Sequence, residues 1–141
     1  MTTSSKTKIT VQTTVNAPVE KVWKYFNQPE HITKWNQASE DWHSPSATND
    51  LRNGGTFSYR MEAKDGSFGF DFAGTFDEVK ENELLEYTIG DGRKVVVSFN
   101  PEGDNTNVVE TFEAEETNPI EMQRGGWQAI LDSFKRYVEN N

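Results

Sequence analysis

Cysteine is absent from this sequence, which removes disulfides, thiolate chemistry and cysteine-ligated zinc. Histidine is scarce: His31 and His43 are the only two, and neither has a partner at ligand spacing, so neither a metal site nor a cofactor is expected. Basic residues are outnumbered, 14 against 23 acidic ones, for a formal net charge of -9. No local run of Lys or Arg interrupts that surplus. A surface of this sign repels a phosphate backbone, so nucleic acid is not an expected partner. No apolar run approaches the ~20 residues that a bilayer span requires, and the opening "MTTSSKTK" lacks the apolar segment of a signal peptide. The chain therefore reads as soluble and cytoplasmic. "LRNGGTF" carries the pair Gly54–Gly55 without a following helix, which makes it a turn and not a phosphate loop. No serine sits in a nucleophile-elbow context. No residue is assigned a catalytic role.

What is present is a regular alternation of patterns. The length of 141 residues suits one domain that buries roughly two thirds of its unfolded surface. Residues 1–7 read as a disordered polar arm, and residues 8–141 as the domain. "KITVQTTV" has the two-residue period of a half-buried strand. "NAPVEKVWKYF" switches to helical spacing, with Pro18 suited to the first helical position, Glu20 able to reach back, and Val19, Val22, Trp23 and Phe26 as the buried stripe. "QPEHITKW" is a second, short helix that buries Ile32 and Trp35. From residue 39 to 114 about six strands follow one another with turn signals between them, "AKDGS", "GDG" and "NPEGDNT" among them. The last segment, "TNPIEMQRGGWQAILDSFKRYVEN", predicts a helix over 118–139 with Asn118 as its cap and Pro119 first. Strands and helices segregated in this way predict an α+β fold, a curved antiparallel sheet whose apolar face the last helix covers.

Alternation along the strands points Phe57, Tyr59, Phe68, Phe70, Phe72, Phe76, Tyr87, Phe99 and Phe112 to one face. Trp127, Phe134 and Tyr137 come down from the helix. These rings form either a filled core or the walls of a pocket between sheet and helix. The last helix also contains Gly125 and Gly126, each costing about 1 kcal/mol against alanine. Two explanations fit: space left over the sheet, or close helix–strand packing. Glu110 shares the inward parity of Val108, Phe112 and Ala114. It is then a buried carboxylate with Arg93, near the rim, as candidate partner, unless a bulge turns it to solvent. Asp41 and His43 share a strand face, which permits a general-base dyad but fits a solvated strand end as well.

"VNAPVEKVWKYFNQPEHITKW", "DLRNGGTFSYRMEAKDG" and the closing "GGWQAILDSF" together resemble the SRPBCC superfamily, also called START-like or birch-pollen-allergen-like. Within it the chain is similar to the single-domain branch related to the activator of heat-shock-protein-90 ATPase. The resemblance runs from about Lys8 to Val138 and implies a helix-grip fold, a curved antiparallel sheet around a long C-terminal helix with two short helices near the N-terminus. It also implies an apolar cavity for a small hydrophobic molecule such as a lipid, sterol, polyketide or aromatic compound. By position, it implies a wall of Trp35, Phe57, Tyr59, Phe70, Phe72, Phe112 and Trp127, with Glu110 as an inward polar group and Gly126 leaving room above. No shared catalytic motif can be matched. A cyclase or hydrolase working in the same cavity is the alternative. A chaperone-binding module is the third and weakest expectation, because the eukaryotic activators contact the chaperone through a separate N-terminal domain for which this chain has no room.

Overall fold

The computed structural model describes residues 7–141, so the arm expected over residues 1–7 lies, apart from Thr7, outside the described residues. The elements run β1 (Lys8–Val15), α1 (Val19–Asn27), α2 (Pro29–Trp35), β2 (Trp42–His43), β3 (Ala47–Asn49), β4 (Thr56–Ala63), β5 (Gly69–Lys80), β6 (Leu84–Ile89), β7 (Lys94–Glu102), β8 (Asn105–Glu113) and α3 (Ile120–Glu139). All strands join one antiparallel sheet in the order β1-β8-β7-β6-β5-β4-β2, with β3 also paired to β4. The fold is α+β, as expected. No described helix is long and apolar enough to cross a membrane.

Alternation along the strands builds the concave face. Ile9, Val11 and Val15 of β1, Val95, Val97 and Phe99 of β7, and Val108 and Phe112 of β8 are all buried there. A register shift between Phe76 and Glu78 on β5 moves the inward parity from Phe72 and Phe76 to Val79, and such a bulge bends the strand. The helix α3 is tied along β1: Gln128 Nε2 donates to the Gln12 carbonyl at 3.1 Å and Lys135 Nζ to the Thr14 carbonyl at 2.7 Å. Helices α1 and α2 close the end of the sheet near the C-terminal half of α3. There Phe134 meets Phe26 and Trp35 edge-on at centroid distances of 5.2 and 4.9 Å.

Several sequence expectations are corrected. Seven strands, not about six, follow α2, because two short ones (β2 and β3) share the outer edge of β4. The expected loop "NPEGDNT" is mostly strand: the ladder continues through Pro101↔Thr106 and Glu102↔Asn105, leaving a two-residue turn. Gly103, at φ +64°, supplies the left-handed geometry such a turn needs. Helices α1 and α3 each begin one residue later than predicted, with Pro18 and Pro119 as caps and no side-chain cap bond. The Asn118 side chain is bonded instead to Glu115. Phe68 does not join the concave face. It precedes β5, stands 60% exposed and packs against Trp42 and Phe70 at the sheet edge.

Candidate functional site

A cavity of about 290 Å³ lies between the concave face and the N-terminal half of α3. Its walls are aromatic, and the sheet register explains why. Tyr59 pairs with Phe72 across β4 and β5, while Phe57 faces Gly74. A Cβ at Gly74 would meet the Thr88 carbonyl oxygen at 2.5 Å and the Phe57 ring at 2.9 Å, so glycine there lets that ring lie flat across the neighbouring strand. Tyr87 of β6 meets Phe57 edge-on at 5.0 Å. From the helical side, Trp35, Trp127 and Ile130 complete the enclosure. The Trp35 indole N–H donates to the Tyr25 carbonyl at 2.9 Å, which fixes that ring's orientation. Phe70, 41% exposed, together with Arg93 and Glu115, marks the solvent side.

Seven of the nine residues expected at the site line this cavity: Trp35, Phe57, Tyr59, Phe70, Phe72, Glu110 and Trp127. Phe112 does not. The Trp127 ring lies parallel to it at 3.9 Å and 11°, so Phe112 is the layer behind and Trp127 is the surface. Gly126 is not part of the lining either. A Cβ added at Gly125 or Gly126 meets no atom within 4 Å. Close helix–strand packing therefore does not account for the glycines; the start of α3 stands off from the sheet. The lining also includes Asn36 and Glu115, which sequence reasoning missed. Asn36 follows the end of α2, and its buried amide donates to Met61 Sδ at 3.0 Å. Glu115 lies in an acidic loop that carries no pattern to single it out. Tyr87 and Phe76 were legible as inward rings but not as cavity wall.

Glu110 is the polar feature of the floor. The β1–β8 and β7–β8 ladders run through it without a shift, pairing it with Val11 on one side and Val97 on the other, so the bulge alternative does not hold. It is 7% exposed. Its carboxyl has no hydrogen-bond or ionic partner among the described residues, and burial alone pushes it up to about 8. Moving from an ordinary 4.5 to about 8 corresponds to about 5 kcal/mol of disfavoured ionisation, taken at about 1.4 kcal/mol per unit. Arg93 is not its partner. The guanidinium Nε donates to Asp91 Oδ2 at 2.8 Å and Nη1 to the Glu113 carbonyl at 3.2 Å. Burial raises both Tyr59 and Tyr87 above the ordinary phenol range, and the charge of Glu110 adds to the rise at Tyr87.

The histidines lie elsewhere. His43 Nε2 is 3.7 Å from Glu62 Oε1, with both side chains substantially exposed, and no Asp41–His43 dyad forms. His31 Nδ1 is 2.7 Å from the Tyr137 hydroxyl and its ring stacks on Tyr25 at 3.9 Å, locking α2 to α3. Among the described residues no three His, Asp or Glu side chains are grouped to hold a metal.

Comparison with known proteins places the fold. The family model described as "Activator of Hsp90 ATPase homolog 1-like protein" matches residues 16–139. The solution structure of an AHSA1-like protein from Aeromonas hydrophila is 46% identical with a TM-score of 0.90, covering 95% of this chain and 93% of that one. A solution structure from Cytophaga hutchinsonii is 64% identical with a TM-score of 0.82, over the same shares of 95% and 93%. A crystal structure from Nitrosomonas europaea, at 20% identity and a TM-score of 0.81 over 94% of each chain, shares the fold alone. No curated protein matches the chain.

Proposed function

The chain belongs to the family of activator of Hsp90 ATPase homolog 1-like proteins, and on that premise we propose that it binds a small hydrophobic molecule in the cavity between sheet and C-terminal helix. Residues 8–141 act as one domain in this reading. The observation that carries it is the cavity itself: about 290 Å³ walled by Trp35, Phe57, Tyr59, Phe72, Tyr87 and Trp127, with one inward carboxyl. A site of that kind, largely apolar with few polar groups, is the ordinary form of a small-molecule pocket, and its volume sits at the compact end. Trp127 is half-buried and ends the stack on Phe112, so a ligand gains ring contact there without unpacking the core. Titration against lipids and aromatic compounds, followed by NMR, tests this. Shifts converging on Trp127, Phe72 and Glu110 support the carrier function. Shifts confined to the convex face around Val96 overturn it in favour of the chaperone-binding role that the family description names.

A second reading has an observation of its own. A carboxyl held near 8 is protonated for much of the neutral range and suited to proton transfer. Cyclase or hydrolase chemistry at Glu110 is the enzymatic alternative, and turnover of a bound compound distinguishes it from carriage.

A further inference from the structure

We propose that the cavity selects a compact aromatic or aliphatic amine, its protonated nitrogen seated against Glu110 and its apolar body among the rings of Phe57, Phe72 and Trp127. This rests on the carrier reading above and names the ligand class that the floor of the site fits. A carboxyl without a cation, at the base of an aromatic cavity, is complemented by a ligand that brings the cation with it. An ammonium offers three N–H donors and no acceptor. Glu110, Tyr59 and Tyr87 offer matching oxygens: all three line the cavity, and none has a protein hydrogen-bond partner among the described residues.

The rings favour the same charge. Phe57 and Tyr59 lie 5.0 Å apart, Phe57 and Phe72 5.9 Å, and Phe57 and Tyr87 5.0 Å, so several π-systems share one cavity with the carboxyl. A cation near such faces is attracted by their quadrupoles, more strongly where water is excluded. At the rim, Arg93 is occupied by Asp91 and the Glu113 carbonyl, while Glu115, which accepts from Asn118, adds a second negative charge. The chain's net charge of -9 draws cations toward the opening and disfavours ligands that carry a carboxylate. A volume of about 290 Å³ suits a molecule of the size of 2-phenylethylamine better than a sterol or a long acyl chain.

Binding is then linked to pH. Around Glu110 stand its ladder partners Val11 on β1 and Val97 on β7, its strand neighbours Val108 and Phe112, and, across the shared cavity, Leu85 and Tyr87 on β6, Tyr59 on β4 and Trp127 and Ile130 on α3. Of these only the two tyrosines titrate, and both are raised; the charged rim groups are Arg93 and Glu115. The protein enters with Glu110 protonated, the amine enters as its ammonium, and the complex is the carboxylate–ammonium pair with one proton released to solvent. With Glu110 at about 8, affinity for the amine rises by about tenfold per pH unit from roughly pH 6 toward pH 8.

The test uses the full chain with three probes of one shape: 2-phenylethylamine, 2-phenylethanol and 3-phenylpropionate. Tryptophan fluorescence and NMR give affinities at roughly pH 6, 7 and 8, and calorimetry in two buffers of different ionisation enthalpy counts the proton released. The expected result near pH 8 is amine binding about tenfold or more tighter than alcohol binding, with propionate weakest. Glu110→Gln is expected to cut amine affinity by about tenfold or more and to flatten its pH dependence, with a smaller change in alcohol affinity. Glu110→Asp, which keeps a carboxylate, retains the amine preference and separates a charge effect from a folding effect. Alcohol or propionate binding as tight as the amine near pH 8, or amine affinity that ignores pH in the wild-type chain, overturns the amine assignment while the carrier function stands. Absence of binding by all three probes overturns the amine assignment, and the carrier function falls with it only if the lipids of the wider titration also leave Trp127, Phe72 and Glu110 unshifted.

Discussion

The two halves of α3 use the same helix for different purposes. From Leu131 to Val138 its inward side chains are core: Leu131, Phe134 and Val138 are essentially fully buried, and Tyr137 is held by His31 at 2.7 Å. From Ile120 to Trp127 the same helix leaves Ile120 and Met122 exposed, carries two glycines with open space beside them, and touches the sheet through the Trp127–Phe112 stack. An amphipathic stripe thus means core only where the partner surface follows the helix. Here β1, α1 and α2 follow its C-terminal half, while the curled β4–β5 wing departs from its start and encloses the cavity.

Truncating a ring in each half is the strongest way to probe that contrast. Phe134→Ala removes a fully buried ring touching Phe26 and Trp35 and is expected to cost about 3–5 kcal/mol. Trp127→Ala loses one stack and some cavity wall, with an expected cost of about 1–2 kcal/mol because the indole is only half-buried and worth less than a core ring. Urea denaturation of both variants at one pH measures the pair. Equal losses would mean that the N-terminal half is core as well.

The floor of the open half supplies a pH-dependent effect. Glu110 has a folded value raised to about 8 from an ordinary 4.5. Between those values the folded state holds a proton that the unfolded state has released, so stability falls as pH rises through that window and levels off above it. The expected loss approaches the roughly 5 kcal/mol that this shift corresponds to at about 1.4 kcal/mol per unit. Glu110→Gln should abolish this slope and be the more stable protein near pH 9. Denaturation midpoints across roughly pH 5 to 9 decide it. A wild-type curve parallel to that of the glutamine variant would place the carboxylate in contact with solvent.

Much of this contrast was legible before any coordinates. Period-two alternation put Phe57, Tyr59, Phe72 and Glu110 on the concave face, because an unbroken ladder preserves parity. Helical spacing put Trp127 and Phe134 on one stripe, but it could not say that one stacks over a cavity while the other sits in the core. That depends on where the sheet curls, and the curl comes partly from the bulge at Phe76/Glu78, which no local residue preference announced. Phe68 had the right parity by count but precedes the strand, so it has no ladder to hold it inward. Phe112 lost its place in the wall to a stacking partner contributed from across the fold. Glu115 and Asn36 reach the cavity from loop positions, where neither period applies.

The glycines give the smallest effect and the sharpest comparison, since one lies under the Phe57 ring and two stand in open space at the start of α3. Gly74 sits on a strand where an added Cβ would meet the Thr88 backbone carbonyl at 2.5 Å and the Phe57 ring at 2.9 Å. The backbone atom cannot swing aside, so Gly74→Ala is expected to destabilise by about 1–3 kcal/mol through overpacking. Gly125 and Gly126 have no atom within 4 Å of an added Cβ, and neither has a positive φ. Alanine there meets no obstacle and removes backbone freedom from the unfolded chain, so each change should stabilise by about 0.5–1 kcal/mol. Gly126→Leu carries the test from stability to binding. Leucine is as good a helix former as these positions need, so the fold should hold, while the added side chain fills the open space beside the helix start, one residue before Trp127. The expected outcome is a melting temperature at or above wild type together with weakened uptake of hydrophobic probes. Normal uptake by a stable Gly126→Leu protein would show that the open space beside the helix start is no part of the ligand's path, and the two halves of α3 would then differ in packing alone.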